Sequence, residues 1–287
     1  LNYCMLLPGQ HPQQVAIYIG WLLHKTIGGL VAGILFDVPG AQIMLHLSVL
    51  YALYGDVPLV EALFFGVKAA VLAIVIEAVS RIGGRALKNR IMVSIAVAAF
   101  IAIYALNVPF PRIILLAGLT GWQGDRIAPG LLSGASHGKG DVADIKGAVD
   151  LMFERGKLTH VKPTTWHAPR TVAIWLPIWL GPVLVIWWFT GSASVWTEIG
   201  RFFSLMAVVT FGGAYAVLPY VYQGAVEYHH WITAPQMIDG LALGETTPGP
   251  LIMVVAFVGF VGGYGNAPLA LEYPFLAGAA AAALVTW

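Results

Sequence analysis

Two Pro-Gly sequences stand inside apolar stretches of this chain, at Pro8-Gly9 and at Pro248-Gly249-Pro250. Proline has no N–H and disrupts the helix before it, so each site predicts a helix that stops and another that starts within an apolar run. A new helix start directs unsatisfied N–H groups and about half a positive charge into the gap. Two such ends carry about +1, and one ammonium brings the total near +2, which suits a doubly negative tetrahedral anion. Lys68 is the candidate ammonium, set in Phe64-Phe65-Gly66-Val67-Lys68-Ala69-Ala70. Glu77, nine residues on, faces the opposite side of a helix, so Lys68 has no close partner on its own element.

Neutral groups for the same anion come from Gln10, Thr246 and Thr247, and Phe211-Gly212-Gly213 offers a second small-residue block. The predicted substrate-binding set is therefore Pro8, Gly9, Gln10, Lys68, Phe211, Gly212, Gly213, Thr246, Thr247, Pro248, Gly249 and Pro250. Asp239 and Glu245, just ahead of the second Pro-Gly, and Glu77 are candidates for carrying a proton. Each also has a plainer reading. Pro-Gly kinks a packed helix, glycines let helices approach, Lys68 snorkels or pairs with an acid on another helix, and Glu77 pairs with Arg81 one turn on.

The elements that must position these residues are set by composition. Of 287 residues 59% are apolar and 10% charged, whereas a soluble domain carries about 25% charged residues. Mean hydropathy is +0.79, so the expected solvent is a lipid bilayer. A net charge of +1, from 15 basic and 14 acidic residues, leaves no electrostatic footprint for nucleic acid. The single Cys4 makes neither an internal disulfide nor a metal-ligand pair, and His229-His230 lacks a ligand spacing, so no metal and no cofactor is expected. No basic segment precedes the first apolar run, which argues against a signal peptide.

A bilayer core about 30 Å thick asks for roughly 20 apolar residues per helix. Residues 34–54, 59–80, 91–107 and 172–190 read as such helices, and 12–23, 199–222, 232–264 and 274–287 as apolar runs interrupted by Gly and Pro. The fold class predicted is an all-α polytopic membrane protein, with Trp175, Trp179, Trp187, Trp188 and Trp196 mostly anchoring helices at the lipid interface. The long hydrophilic stretch 121–170 and the segment holding Arg81, Arg85, Lys88 and Arg90 contain eleven of the fifteen basic residues. By the positive-inside rule both are cytoplasmic, which makes 91–120 a hairpin and places Lys25 inside and Gly55-Asp56 outside.

Leu6-Leu7-Pro8-Gly9-Gln10 followed by Val15-Ala16-Ile17-Tyr18-Ile19-Gly20 aligns with Thr246-Thr247-Pro248-Gly249-Pro250 followed by Val255-Ala256-Phe257-Val258-Gly259-Phe260, at an offset of about 240 residues. Leu30-Val31-Ala32-Gly33 against Phe275-Leu276-Ala277-Gly278 continues the match. Two related halves, 1–120 and 171–287, are expected, joined by the cytoplasmic linker 121–170 and inverted in the membrane, a common transporter plan. Seven residues precede Pro8 while about 36 separate Phe211 from Pro248, and the end at Trp287 falls in an apolar run, so both halves read as incomplete at the outer ends.

Phe211-Gly212-Gly213-Ala214-Tyr215-Ala216-Val217-Leu218-Pro219, Trp231-Ile232-Thr233 and Asp239-Gly240-Leu241-Ala242-Leu243-Gly244-Glu245-Thr246-Thr247-Pro248-Gly249-Pro250 closely resemble the second-half signature of the chromate ion transporter family. Cys4-Met5-Leu6-Leu7-Pro8-Gly9, Gln14 to Leu23, and Tyr54-Gly55-Asp56-Val57-Pro58 resemble its first-half block. The resemblance implies a secondary transporter of the plasma (inner) membrane that exports chromate, with sulfate-like oxyanions and protons as further partners; a homodimer is compatible with it. The chain departs from the pattern at Gln10, where a second proline is usual, at Asp37, where an apolar residue is expected, and in lacking a first-half Phe-Gly-Gly block. No Gly-x-x-x-x-Gly-Lys-Ser/Thr or His-Glu-x-x-His occurs, which favours a transporter over an ATPase or an intramembrane enzyme. A passive anion channel, a carrier of another small anion and a non-transporting scaffold are the alternatives.

Overall fold

The computed structural model describes residues 11–55, 57–127, 167–210, 214–266 and 272–286, and all regular structure in them is helical. Pro8, Gly9, Gln10, Phe211, Gly212, Gly213, Asp56 and most of the predicted linker lie outside the described residues. In chain order the helices are α1 (His11–Tyr54), α2 (Pro58–Ala86), α3 (Arg90–Tyr104), α4 (Phe110–Ile127), α5 (His167–Thr190), α6 (Val195–Val209) and α7 (Ala214–Tyr222). A π-helical turn (Gln223–Tyr228) extends α7, and α8 (Ala234–Thr246), a 3-10 turn (Leu251–Met253), α9 (Val254–Asn266) and α10 (Pro274–Thr286) follow. The chain divides into two compact units, residues 1–68 with 147–287, and residues 69–146.

In the first unit α1 is two helical arms rather than one rod, because His24 and Lys25 leave the helical region and Lys25 takes φ 57°. The arms fold back on each other. Gly20 and Gly28 leave no room for a side chain between the two backbones, Ile17 lies against Gly33, and the Gln13 amide Nε2 donates to Asp37 Oδ2. Lipid supplies no hydrophobic drive between helices, so close approach through small residues supplies the packing energy instead. Helices α9 and α10 form a second hairpin built the same way. A Cβ on Gly263 would stand 2.8 Å from the Ala277 carbonyl oxygen, and one on Gly278 would stand 2.9 Å from that of Phe260. The described parts of the two segments that align in sequence therefore lie in tight helical hairpins, and these hairpins pack on one another.

The predicted run 199–222 divides at Thr210 into α6 and α7, and the run 232–264 divides at Thr247 into α8 and α9. Helix α8 carries a complete capping box, Thr233 with Gln236, which fixes its start. Before it, His229 stacks on Trp231 with ring centroids 4.3 Å apart and stands 3.5 Å from Glu198, a packed and paired position.

In the second unit α3 and α4 make the expected hairpin around Asn107, which has φ 48°. Asn89 caps α3 by accepting from the Met92 N–H. Helix α4 runs past residue 120 to Ile127, seven residues into the stretch read as linker. The Arg126 guanidinium lies 4.1 Å over the Trp122 ring, a one-turn pairing that favours the helix there.

Among the described residues three helices are long and apolar enough to cross a membrane, within His11–Tyr54, Pro58–Gly84 and Pro169–Thr190. None of the most apolar window of Pro169–Thr190 is buried, and Trp188 and Phe189 stand exposed at its end. A face so apolar and so exposed is what lipid, not water, covers.

The hairpin packing predicts a sharp contrast between two glycines. Gly28→Leu forces α1 apart and should lower thermal stability in detergent by about 1–3 kcal/mol. Gly66→Leu, at a position with nothing within 4 Å of a new Cβ, should leave it unchanged or raise it by about 1 kcal/mol. Equal unfolding midpoints for the two variants would contradict the hairpin.

Candidate functional site

The interruption predicted at the second Pro-Gly is present. Helix α8 closes with the Thr247 N–H donating to the Leu243 carbonyl at 3.0 Å, after which Thr247 is extended and Gly249 adopts φ +122°. Pro250 leads the 3-10 turn from which α9 restarts. Gly249 is required twice over, by its positive φ and by contact with Gly40 of α1, whose Cα lies 3.3 Å from where a Cβ would be. The Thr246 hydroxyl donates to the carbonyls of Ala242 and Leu243 and that of Thr247 to Gly244, so both hydroxyl protons are committed to their own helix.

Beside the restart of α9 lies a cavity of about 410 Å³, within the usual range of small-molecule sites. Ile252 and Met253 wall it on the side of the break, Val38 and Ala41 on the second arm of α1, Trp179 on α5 and Thr210 at the end of α6. Its polar lining is Gln13, Asp37, Ser204, Thr210 and Thr286, of which only Asp37 is ionisable. The Thr210 and Thr286 hydroxyls donate to the carbonyls of Met206 and Ala282, leaving their oxygens able to accept.

A separate polar cluster joins two predicted residues to each other. Lys68 Nζ lies 2.7 Å from Asp239 Oδ1, and the Tyr51 hydroxyl donates to Asp239 Oδ2 at 3.0 Å. Asp239 is buried while the Lys68 side chain is 34% exposed. Tyr51 is held edge-on between Phe64 and Phe257, with centroids 5.3 and 5.1 Å away. The ammonium expected to stand without a partner on its own helix thus has one on α8. Neither Lys68 nor Asp239 lines the cavity.

Glu245 accepts a hydrogen bond from the Tyr215 hydroxyl of α7. Glu77 belongs to the second unit, is exposed, and makes no ion pair with Arg81 among the described residues. Tyr51 and Tyr215 carried no signal in the sequence. Gln13 and Asp37 could have been found as polar residues at matching distances either side of Lys25. No metal-ligand cluster occurs among the described residues.

The cluster makes a test by double substitution. Lys68→Met and Asp239→Asn should each lower thermal stability in detergent, and the pair together by less than the two effects combined. The coupling should be about 1–2 kcal/mol, modest because Lys68 is partly exposed. Strict additivity would mean that the two groups do not interact.

Comparison with known proteins agrees with this architecture. The chromate transporter family model matches residues 1–122 and 197–287. The chain is 25% identical over 278 residues to the chromate transport protein of Cupriavidus metallidurans, covering 96% of this chain and 60% of that protein. It is 32% identical over 265 residues to the chromate transport protein of Pseudomonas aeruginosa, covering 92% and 56% respectively. It is 24% identical over 277 residues to the probable chromate transport protein of Synechococcus elongatus, covering 96% and 62%. The chain thus spans about three-fifths of the length of these curated relatives. No solved structure matches it significantly. With the family model matched across both of its blocks, on a helical scaffold long and apolar enough to cross a membrane, the chain belongs to the chromate transporter family.

Proposed function

We propose that the protein is a secondary transporter that exports chromate, and chemically similar oxyanions such as sulfate, in a manner linked to the proton motive force. One observation carries this reading: the helix interrupted between Thr247 and Met253 restarts against a cavity lined by apolar helices. Non-helical backbone at membrane depth is tolerated where it lines a cavity, and a helix start there favours negative charge. The similar chromate transport proteins supply the substrate class.

Direction follows from the field. With the interior negative, two negative charges crossing about 100 mV gain roughly 4.6 kcal/mol outward. Proton linkage has candidates in Asp239 and Glu245. An anion that draws Lys68 away leaves Asp239 with the Tyr51 hydroxyl as its partner. Pro8, Gly9, Gln10, Phe211, Gly212 and Gly213 complete the proposed substrate-binding set. In this reading the halves 1–120 and 171–287 are inverted about a cytoplasmic linker in the inner membrane. A passive channel is the rival, and it needs no proton-carrying acid.

The test is flux of labelled chromate and sulfate in vesicles holding the full-length protein, with and without a pH gradient. Wild type should respond to the gradient. Gly249→Ala, strained by about 1–3 kcal/mol at its positive φ, and Lys68→Ala should each cut flux about tenfold or more, the loss that about 1.4 kcal/mol of lost stabilisation produces. Chromate flux equal in all three proteins, and indifferent to the gradient, would refute the coupling and the break alike.

A further inference from the structure

We propose that Asp37 is the proton-carrying group of the cavity: its carboxyl holds a proton while a tetrahedral oxyanion occupies the space and releases it when the space empties. The proposal rests on the transport reading above and assigns a residue that the other acids leave open. Asp239 already faces Lys68 and Tyr51, and Glu245 faces Tyr215. Asp37 instead meets one neutral donor, the Gln13 amide, through Oδ2. Its Oδ1 is buried and has no hydrogen-bond partner among the described residues.

The surroundings make that position consequential. Trp179 of α5, Ser204 of α6, Thr210 just after it, Met253 of the 3-10 turn, Val255 of α9 and Thr286 of α10 line the cavity, and no described residue in its lining is a second titratable or charged group. His11, two residues before Gln13, is not part of the lining, nor are His24 and Lys25 at the α1 turn. A bare carboxylate and a dianion would then share a largely apolar space with no described cation in its lining, and like charges so placed disfavour one another. One proton removes the conflict. The carboxylate takes a proton from water, an O–H bond forms at Oδ1, and that hydroxyl donates to an oxyanion oxygen. On release the O–H bond breaks, the proton returns to water, and Asp37 is again a carboxylate held by Gln13. The filled cavity then carries −2 rather than −3, and the orphaned oxygen gains a partner.

Sulfate is the proper probe, because it stays doubly charged near neutrality whereas chromate itself takes up a proton there. In vesicles of the full-length protein, wild-type sulfate flux should fall about tenfold per pH unit once the pH exceeds the midpoint of the carboxyl. Asp37→Asn keeps the shape and a permanent N–H donor, so its flux should be flat with pH. Gln13→Leu removes the donor to the ionised form, and its flux profile should move to higher pH. The same pH profile in wild type and Asp37→Asn would overturn the proposal.

A second measurement does not depend on flux. A hydrophobic carbodiimide reacts with protonated carboxyls in apolar sites, and modification of Asp37 can be read by mass spectrometry of the peptide. Added sulfate should increase the pH at which Asp37 is half modified, since proton and anion favour one another's binding. Modification indifferent to sulfate overturns the proposal even in an active transporter. If wild type moves neither anion at any pH, the transport reading fails, while a sulfate-dependent modification of Asp37 would still support proton and anion sharing this cavity.

Discussion

The arrangement around the cavity depends on one backbone contact. Gly40 in α1 and Gly249 in the break touch without side chains between them, and a Cβ on Gly40 would come within 3.2 Å of the Pro248 carbonyl oxygen. That contact fixes the extended segment against the second arm of α1. As a result the first residues after Pro250 face Val38 and Ala41 across the cavity rather than closing on them. Irregular backbone in an apolar setting must be buried in protein or line a space that solvates it. The break and the cavity are therefore two aspects of one constraint, and the glycines are what allow both at once.

Features set by local covalent chemistry were legible in the sequence. Proline cannot donate and Gly249 can take a positive φ, so the stop after Thr247 was written into three adjacent residues. The alignment of the two Pro-Gly segments pointed to related halves, while the close glycine contacts within α1 and between α9 and α10 emerge only from the fold. What depends on helices meeting was not legible. Lys68 and Asp239 lie on elements whose approach is decided by packing, and Tyr51 reaches Asp239 across 188 residues of chain. From one helix alone Lys68 could be assigned as needing an acid elsewhere but not which one. Asp37 was visible as a polar residue in an apolar arm, yet its importance comes from walls contributed by four other helices. The end of α4 was misplaced because composition turns polar at Gly121, while Trp122 and Arg126 pair along the helix surface beyond it.

Three carboxylates of the first unit, Asp37, Asp239 and Glu245, differ chiefly in what faces them. Asp239 has an ammonium and a phenol, Glu245 a phenol, and Asp37 an amide. An ion pair formed by Lys68 and Asp239 lowers the cost of keeping either charge near lipid, because each partner replaces part of the other's lost hydration. It also holds α2 against α8 and, through Tyr51, both against α1. The pair is thus structural first, whatever else it does when an anion approaches.

That division bears on how an anion could leave as well as enter. A permanent ammonium inside the cavity would attract a dianion strongly, and tight binding is as great an obstacle to passage as exclusion, since conduction needs a site weak enough to empty. The lining offers instead the start of α9, an amide, three hydroxyl-bearing side chains and one carboxyl. Fixed dipoles of this kind supply moderate attraction that does not change during a cycle. The carboxyl supplies the part that does change, because one proton converts it from a charge that repels the anion into a donor that holds it. On the proposal for Asp37, the presence or absence of that proton beside the break sets whether the cavity holds the anion or lets it go.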